Sequence, residues 1–142
     1  MLEQLEIRQT LTLSIAKQIA AAAESAAREN NWNVVVTIVD DGANLLYLQR
    51  MDGTQLGSID VAIAKAISAI KYKRPTKAFE DSLVGGRQAV LTLPGAMPVN
   101  GGLPLVYNNE IVGAIGVSGV QPDQDAIVSQ AGVDILARIA GS

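Results

Sequence analysis

The sequence contains neither cysteine nor histidine among its 142 residues. Without cysteine, the chain forms no disulfide and offers no thiolate as a metal ligand or nucleophile. Without histidine, it lacks the commonest metal ligand and the commonest general base at neutral pH. These two absences exclude the most frequent designs of metal centre and of nucleophilic active site, and we expect no metal bound by a protein-built site.

Aromatic residues make up only 4% of the chain and charged residues 18%, whereas 49% of the residues are hydrophobic. The net charge of -3 comes without a basic stripe, so we expect no nucleic-acid partner. The length fits one domain, and we predict a single domain over residues 1–142. The apolar content exceeds that of an average compact domain, which suggests apolar surface buried between subunits.

The N-terminal stretch carries Glu3, Glu6 and Arg8 among its apolar residues. It therefore lacks the basic start and the continuous apolar core of a signal peptide. No apolar run approaches the roughly 20 residues that a membrane span needs. We therefore expect a cytoplasmic protein without a membrane partner.

The stretch from Gly101 to Gly119 predicts two strands joined by a tight turn. Leu103–Tyr107 is apolar, and the Asn108-Asn109 pair that follows tolerates the left-handed backbone of a two-residue hairpin turn. The return strand, Ile111–Val117, contains two glycines and an alanine. Such small residues indicate that another part of the chain, most simply a packed helix, lies close to this strand.

Apolar periodicity and turn residues predict the other elements. We predict helices over residues 10–30, 58–73, 76–83 and 123–140, strands over 33–40 and 43–51, and a candidate edge strand over 97–99. Predicted helix caps are Thr10 or Thr12, Ser58, Thr76 and Asp123, and Asp41-Gly42 is a predicted hairpin turn. Strands paired in hairpins, with helices at the ends, predict an α+β domain with an antiparallel sheet.

The helix predicted over residues 58–73 is apolar around most of its circumference, which is typical of a helix buried on two sides. In so short a chain, we expect the second side to form a homo-oligomer interface. Lys65 interrupts the apolar surface. This side chain either reaches solvent along its aliphatic stem or is an enclosed lone cation that faces a pocket suited to a carboxylate or phosphate.

Other charged residues each allow a structural and a functional interpretation. Arg50 and Asp52 follow the second strand, where they either pair in solvent or contact a ligand. Four cations around Pro75 either form a solvated corner at a helix C-terminus or clamp an anion, and these are Lys71, Lys73, Arg74 and Lys77. Asp125 falls in the first turn of the last helix, where the helix dipole alone explains a carboxylate.

Catalytic signatures are absent from the sequence. Ser118 lies in Gly-Val-Ser-Gly, which is not the G-x-S-x-G elbow of hydrolases. Ser68 and Lys65 are the other candidate nucleophiles, and no histidine is available to activate any of them. The sequence contains neither a phosphate-binding loop nor a dinucleotide fingerprint.

Five short blocks occur in order between about Val39 and Gly132. They are Val39-Asp40-Asp41-Gly42, Arg50-Met51-Asp52-Gly53, Lys65-Ala66 with Ser68-Ala69, Arg74-Pro75-Thr76, and Gly101–Leu105 with Gly113–Gly119 and the later Asp125. In content, order and spacing, this set resembles the GlcG/HbpS-like family. That family includes haem-binding proteins and the C-terminal domain of PduO-type cobalamin adenosyltransferases.

The resemblance implies a profilin-like, three-layer α/β/α arrangement with a roughly five-stranded antiparallel sheet. It also implies an oligomer that binds a tetrapyrrole, either haem or a corrinoid such as cobalamin. Histidine ligation, which some members use, is impossible here, and Thr76, a lysine, a methionine or a tyrosine remains as an axial ligand. The residues that we expect to contact a ligand are Arg50, Asp52, Lys65, Thr76, Gly101 and Gly102, the last two through exposed backbone donors.

Three functions therefore stay open. The first is an oligomeric accessory protein that binds a small ligand, with tetrapyrrole as the family-derived candidate. The second is a non-metal enzyme acting on a small carboxylate or diol-derived metabolite. This enzyme would use Lys65 together with Arg50 or Asp52. The third is an oligomeric interaction module without a small ligand. We place the first ahead. An enzyme would require a Lys65 that is buried, lies within reach of a carboxylate and has a shifted pKa.

Overall fold

A computed structural model describes residues 3–140. The predicted domain also includes Met1, Leu2, Gly141 and Ser142, which lie outside the described residues. The helices are α1 (Leu13–Glu29), α2 (Ser58–Tyr72), α3 (Lys77–Val84) and α4 (Pro122–Ala140), with a short 3-10 helix at Gln88–Thr92. The strands are β1 (Val35–Asp40), β2 (Leu45–Arg50), β3 (Gly102–Tyr107) and β4 (Glu110–Ser118).

The four strands form one antiparallel sheet in the order β2-β1-β4-β3. Helices α1 and α4 cover one face of the sheet, and α2 covers the other face, mainly over β4. The almost continuously apolar β1 is central and buried, because a strand covered on both faces has no solvent side. The α+β class with an antiparallel sheet is thereby confirmed, in three layers.

The described sheet has four strands, so the prediction of roughly five strands is wrong. Residues 97–99, the candidate edge strand, form no strand. The Met97 N–H donates to the Ser68 hydroxyl at 3.0 Å, and the Val99 N–H donates to the Met97 carbonyl at 2.9 Å. Since Pro98 between them has no N–H, this segment lacks the donors that a sheet ladder needs.

Of the predicted helix caps, only the one at α1 forms as expected. Thr12 caps α1 by accepting from the Ile15 N–H at 3.2 Å. Ser58 is instead the first residue of α2, with its hydroxyl accepting from Gln55 at 3.0 Å. Thr76 precedes α3, but its hydroxyl makes no capping bond. Helix α4 begins at Pro122, so Asp123 lies inside its first turn and is not its cap.

The two hairpin turns follow their local chemistry to different degrees. Asn108 and Asn109 adopt φ of 50° and 61°, which confirms the predicted two-residue turn. The first hairpin is wider than predicted. Its left-handed residue is Ala43, with φ of 65°, and the Asp40 carboxylate accepts the N–H groups of Gly42 and Asn44 at 2.9 Å each. An Asp side chain that bonds to the backbone ahead of it stabilises such a turn.

The described part of the chain includes no helix with both the length and the apolar character required to cross a membrane.

Gly116 allows α2 to approach the sheet, so its replacement should destabilise the fold. A β-carbon at this position would overlap the Ala62 carbonyl oxygen and lie 2.5 Å from the Ala66 nitrogen. We expect Gly116→Ala to reduce the free energy of unfolding by about 1–3 kcal/mol, the usual cost of overpacking. Gly57→Ala is the matched control, because Gly57 has helical dihedral angles and nothing within 4 Å of a β-carbon. Denaturant unfolding of both variants checks this, and equal midpoints would contradict it.

Candidate functional site

Lys65 is enclosed in the interior, and its side chain is 1% exposed. The ammonium Nζ donates to Asp125 Oδ2 and to the carbonyl oxygen of Val117, each at 2.9 Å. Lys65 is therefore enclosed, as one of its two interpretations required, but it is not a lone cation. The pair joins the middle of α2 to the first turn of α4 across the end of β4.

The Asp125 carboxylate is part of the same buried arrangement, with 2% of its side chain exposed. Its second oxygen accepts the Val120 N–H at 3.1 Å. Burial raises the pKa of Asp125, and the Lys65 ammonium and the Val120 N–H oppose that rise in part. Our interpretation that the helix dipole alone explains Asp125 is therefore wrong, because this carboxylate is the counter-ion of a buried lysine.

Gly101 leaves room for this ion pair because it has no side chain. Its φ of 130° lies in the region that favours glycine, and a β-carbon there would lie 2.8 Å from both Lys65 Nζ and the Val117 carbonyl oxygen. The Gly101 carbonyl accepts from the Ser129 hydroxyl at 2.6 Å and from the Val117 N–H at 3.1 Å. Any side chain at position 101 would displace the ammonium.

Thr76 and Gly102 are joined by a reciprocal pair of hydrogen bonds. The Gly102 N–H donates to the Thr76 hydroxyl, and the Thr76 N–H donates to the Gly102 carbonyl, both at 3.0 Å. The two residues are buried. The Asn100 N–H donates to Glu80 at 3.2 Å. The backbone donor at Gly102, which we predicted to be exposed, is therefore used within the chain, as is that of the neighbouring Asn100.

Four of the six predicted ligand residues thus meet in one closed group. We call Lys65, Thr76, Gly101, Gly102 and Asp125 the Lys65 cluster. Arg50 and Asp52 are exposed and lie elsewhere, since Arg50 pairs with Val35, which in turn pairs with Ser118. They share one end of the sheet with the cluster but lie two strands away from β4.

Sequence reasoning missed Asp125 and Ser129 as members of this arrangement. Asp125 carried a signal, since it belongs to the family blocks that the sequence matches. Ser129 carried none, because a serine inside a helix is usually an ordinary solvent-facing or packed residue.

A hollow of about 510 Å³ opens where the N-terminal segment, the end of α2 and the β3–β4 turn meet. We call it the mixed-charge hollow. Its lining comprises Glu6, Arg8, Gln9, Asp41, Ile70, Lys73, Asn109, Glu110 and Ile111. Arg8 and Asp41 approach to 3.9 Å across it. Within the described chain, no group of three or more carboxylates is arranged to hold a metal ion.

Three of the four cations around Pro75 have different surroundings. Lys73 lines the mixed-charge hollow. The Arg74 guanidinium lies 5.6 Å from the centre of the Phe79 ring. Lys77 pairs with Asp81 at 3.1 Å, which raises the pKa of this exposed lysine. Of these three cations, Lys73 alone lines a hollow, which it shares with side chains of both charges.

Removing one charge of the buried pair should destabilise the protein more than removing both. Lys65→Met leaves the Asp125 carboxylate without its cation, and we expect a loss of about 3–5 kcal/mol at pH 7. Adding Asp125→Asn removes the stranded charge and should restore most of that loss. Lys71→Met, an exposed lysine on the same helix, is the control and should shift stability by less than about 0.5 kcal/mol. Chemical unfolding at pH 7 measures all three.

The Lys65→Met variant should also gain stability on acidification. A carboxyl whose pKa is raised by folding binds its proton more readily in the folded state, so its contribution is present at low pH and lost as pH rises through the raised pKa. Unfolding between pH 4 and pH 7 should therefore show the variant approaching the wild type at the acidic end. A gap that is constant with pH would contradict this account of Asp125.

Known proteins that are similar to this chain in sequence show its family. A family model described as "haem degrading protein HbpS-like" matches residues 11–134. An uncharacterized 15.0 kDa protein from the dhaT-dhaS intergenic region of Citrobacter freundii is 34% identical over 134 residues, covering 92% of this chain and 94% of that protein. Protein GlcG of Escherichia coli is 38% identical over 108 residues, covering 76% of this chain and 81% of GlcG.

Three solved structures are also similar to this chain over most of its length. Klebsiella pneumoniae protein ORFY has a TM-score of 0.91 and 34% identity, covering 98% of this chain and 99% of that one. A double mutant of Streptomyces reticuli HbpS has a TM-score of 0.85 and 32% identity, covering 93% and 90%. The PduOC:haem complex has a TM-score of 0.81 and 25% identity, covering 89% and 94%. On this evidence, the chain belongs to the HbpS-like family.

Proposed function

We propose that this protein is a homo-oligomeric accessory protein that binds a tetrapyrrole, haem or a corrinoid, through contacts other than histidine. The observation that carries the proposal is the mixed-charge hollow, which combines apolar side chains with two cations and three carboxylates in a member of the HbpS-like family. The description of that family and the haem complex of PduOC support the choice of ligand.

The hollow suits a ligand that is part apolar and part charged, because its lining contains isoleucines together with side chains of both charges. Its volume of about 510 Å³ falls within the range of about 300–1,000 Å³ that is usual for ligand pockets. Ile70 and Ile111 offer apolar contacts to the face of a macrocycle. Lys73 would pair with a peripheral carboxylate, such as a propionate of haem, and Arg8 would do so by exchanging its contact with Asp41.

Among the axial-ligand candidates named from the sequence, a lysine, Lys73, lies in the lining of the hollow. The lining contains no methionine or tyrosine, and the Thr76 hydroxyl is closed inside the Lys65 cluster. The iron or cobalt would supply redox chemistry when the group is bound. The chain would bind the ring, orient its carboxylates and shield one face from water.

The six residues selected from the sequence enter the proposal in two roles. Lys65, Thr76, Gly101 and Gly102 form the buried frame that fixes α2, which carries Ile70 and is followed directly by Lys73. Arg50 and Asp52 remain candidates for direct contact, since they are exposed and free to meet a ligand held between subunits.

A titration with haemin and with cobalamin, followed by absorbance, tests the ligand. We expect a saturable Soret change for haemin at a stoichiometric ratio and weaker binding at high salt, because exposed charges are screened. Lys73→Gln should weaken binding up to about fivefold, the effect of one exposed ion pair of about 1 kcal/mol. Lys71→Gln is the matched control on the same helix end and should bind as the wild type does.

Other outcomes of this titration are equally informative. Loss of affinity in Arg50→Gln without loss in Lys73→Gln would move the ligand to the end of β2 and away from the mixed-charge hollow. No saturable change with either ligand would remove tetrapyrrole binding from the proposal.

The outward side of α2 supports the oligomeric part of the proposal. Ile59, Ile63 and Ile67 follow one another at intervals of four residues, and each remains partly exposed in a single chain. A row of isoleucines in water is unfavourable, and a second copy of the same helix is the simplest cover.

Charged substitutions in this row should disrupt the oligomer. We expect Ile63→Glu or Ile67→Glu to lower the mass measured by light scattering, because each would place a carboxylate in the apolar interface. Lys71→Glu, at an exposed position of the same helix, should leave the mass unchanged. An unchanged oligomer in both isoleucine variants would rule this row out of the interface.

One observation favours an enzyme as the second candidate. Lys65 is buried and its ammonium lies 2.9 Å from the Asp125 carboxylate, which meets the burial and distance parts of the condition set above for catalysis. With 1% of its side chain exposed, however, the lysine would need an opening of α2 or α4 to meet a substrate. We therefore rank the enzyme below the binding protein.

A further inference from the structure

The N-terminal arm, which we define as residues 3–10, has apolar side chains that its own chain leaves uncovered. The arm forms neither helix nor strand, and each of its residues is exposed. Leu5 is 94% exposed and Ile7 92% exposed, more than any other large aliphatic residue of the described chain. Two such side chains on one short segment are unfavourable in water.

The base of the arm is nevertheless fixed. The Thr10 hydroxyl donates to Asp41 Oδ1 at 3.0 Å, and Arg8 approaches the same carboxylate at 3.9 Å. Leu11, the next residue, is buried against Gly113, where a β-carbon would lie 2.6 Å from Leu11 Cδ1. The direction in which the arm leaves the domain is therefore set by contacts, while Leu5 and Ile7 remain uncovered.

Beside this base, the chain also presents a receptor for aliphatic side chains. We call it the apolar hollow, an open space of about 360 Å³ next to the edge strand β3. Its lining is mostly apolar and comprises Gln9, Thr10, Leu11, Ile15, Tyr107, Val112 and Leu136. Leu5 and Ile7 of the same chain do not fill it, as their exposure shows.

We propose that the arm of one copy docks Leu5 and Ile7 into the apolar hollow of a second copy, and that the exchange is reciprocal. Each chain carries both the projecting aliphatic residues and the hollow that fits them, so two copies related by a twofold axis satisfy both at once. Each hollow lies at the root of its own arm. The two arms of such a dimer would therefore run side by side, with four aliphatic side chains removed from water.

Cysteine cross-linking tests the contact directly, because the wild-type chain contains no cysteine. A chain with Ile7→Cys is co-expressed with a chain of different tag mass that carries Tyr107→Cys, and both are mildly oxidised. We expect a covalent dimer of the two different chains, which only an intermolecular contact can form. The control replaces the first chain by one with Val84→Cys, a position of 83% exposure outside the arm.

The concentration dependence of light-scattering mass provides a second readout. The double variant Leu5→Gln with Ile7→Gln should dissociate at a concentration at least about tenfold higher than the wild type, given the apolar area that each side chain buries. The control double variant is Val84→Gln with Leu91→Gln, two aliphatic residues that are 83% and 67% exposed elsewhere. It should dissociate as the wild type does.

The proposal is overturned if the mixed covalent dimer does not exceed the Val84→Cys background. It is also overturned if the arm and control double variants have the same mass at every concentration. The haemin titration remains a separate test, since it uses other variants and follows the absorbance of the ligand. An unchanged circular dichroism spectrum confirms that each variant is folded.

Discussion

The buried ion pair between Lys65 and Asp125 is the interaction that sets the rest of this structure in place. Removing two charges from water costs several kcal/mol for each ion, so the pair is tolerated only with good geometry and further hydrogen bonds. The Val117 carbonyl and the Val120 N–H supply those bonds at the end of β4. Helices α2 and α4, from opposite faces of the sheet, are thereby joined across the end of β4, which fixes their relative position.

This requirement explains the glycines and hydroxyls around the pair. Gly101 must lack a side chain because the ammonium occupies the space that a β-carbon would take. The Gly101 carbonyl accepts hydrogen bonds from the Ser129 hydroxyl and the Val117 N–H. Since the polar groups of the Lys65 cluster satisfy one another, few are left to meet a ligand. A ligand would therefore meet the protein at the surface hollows, and the cluster would support those hollows from inside.

The sequence predicted best those features whose cause is local. The Asn108-Asn109 turn was predictable because two adjacent residues determine it, and the buried β1 because its apolar run is continuous. The role of Asp125 was not, because its partner Lys65 lies 60 positions away and no local pattern links them. Thr76 and Ser58 failed as caps for a related reason: a hydroxyl that suits a helix start was used by Gly102 and Gln55.

The N-terminal arm links the two functions that we propose. Gln9 lines both hollows, and Glu6 and Arg8 form one wall of the mixed-charge hollow. Fixing a wall of a site before the ligand arrives lowers the entropic cost of binding. If a second copy holds Leu5 and Ile7, this wall would be fixed in advance. Assembly then strengthens ligand binding and, because thermodynamic coupling is reciprocal, the ligand strengthens assembly to the same extent.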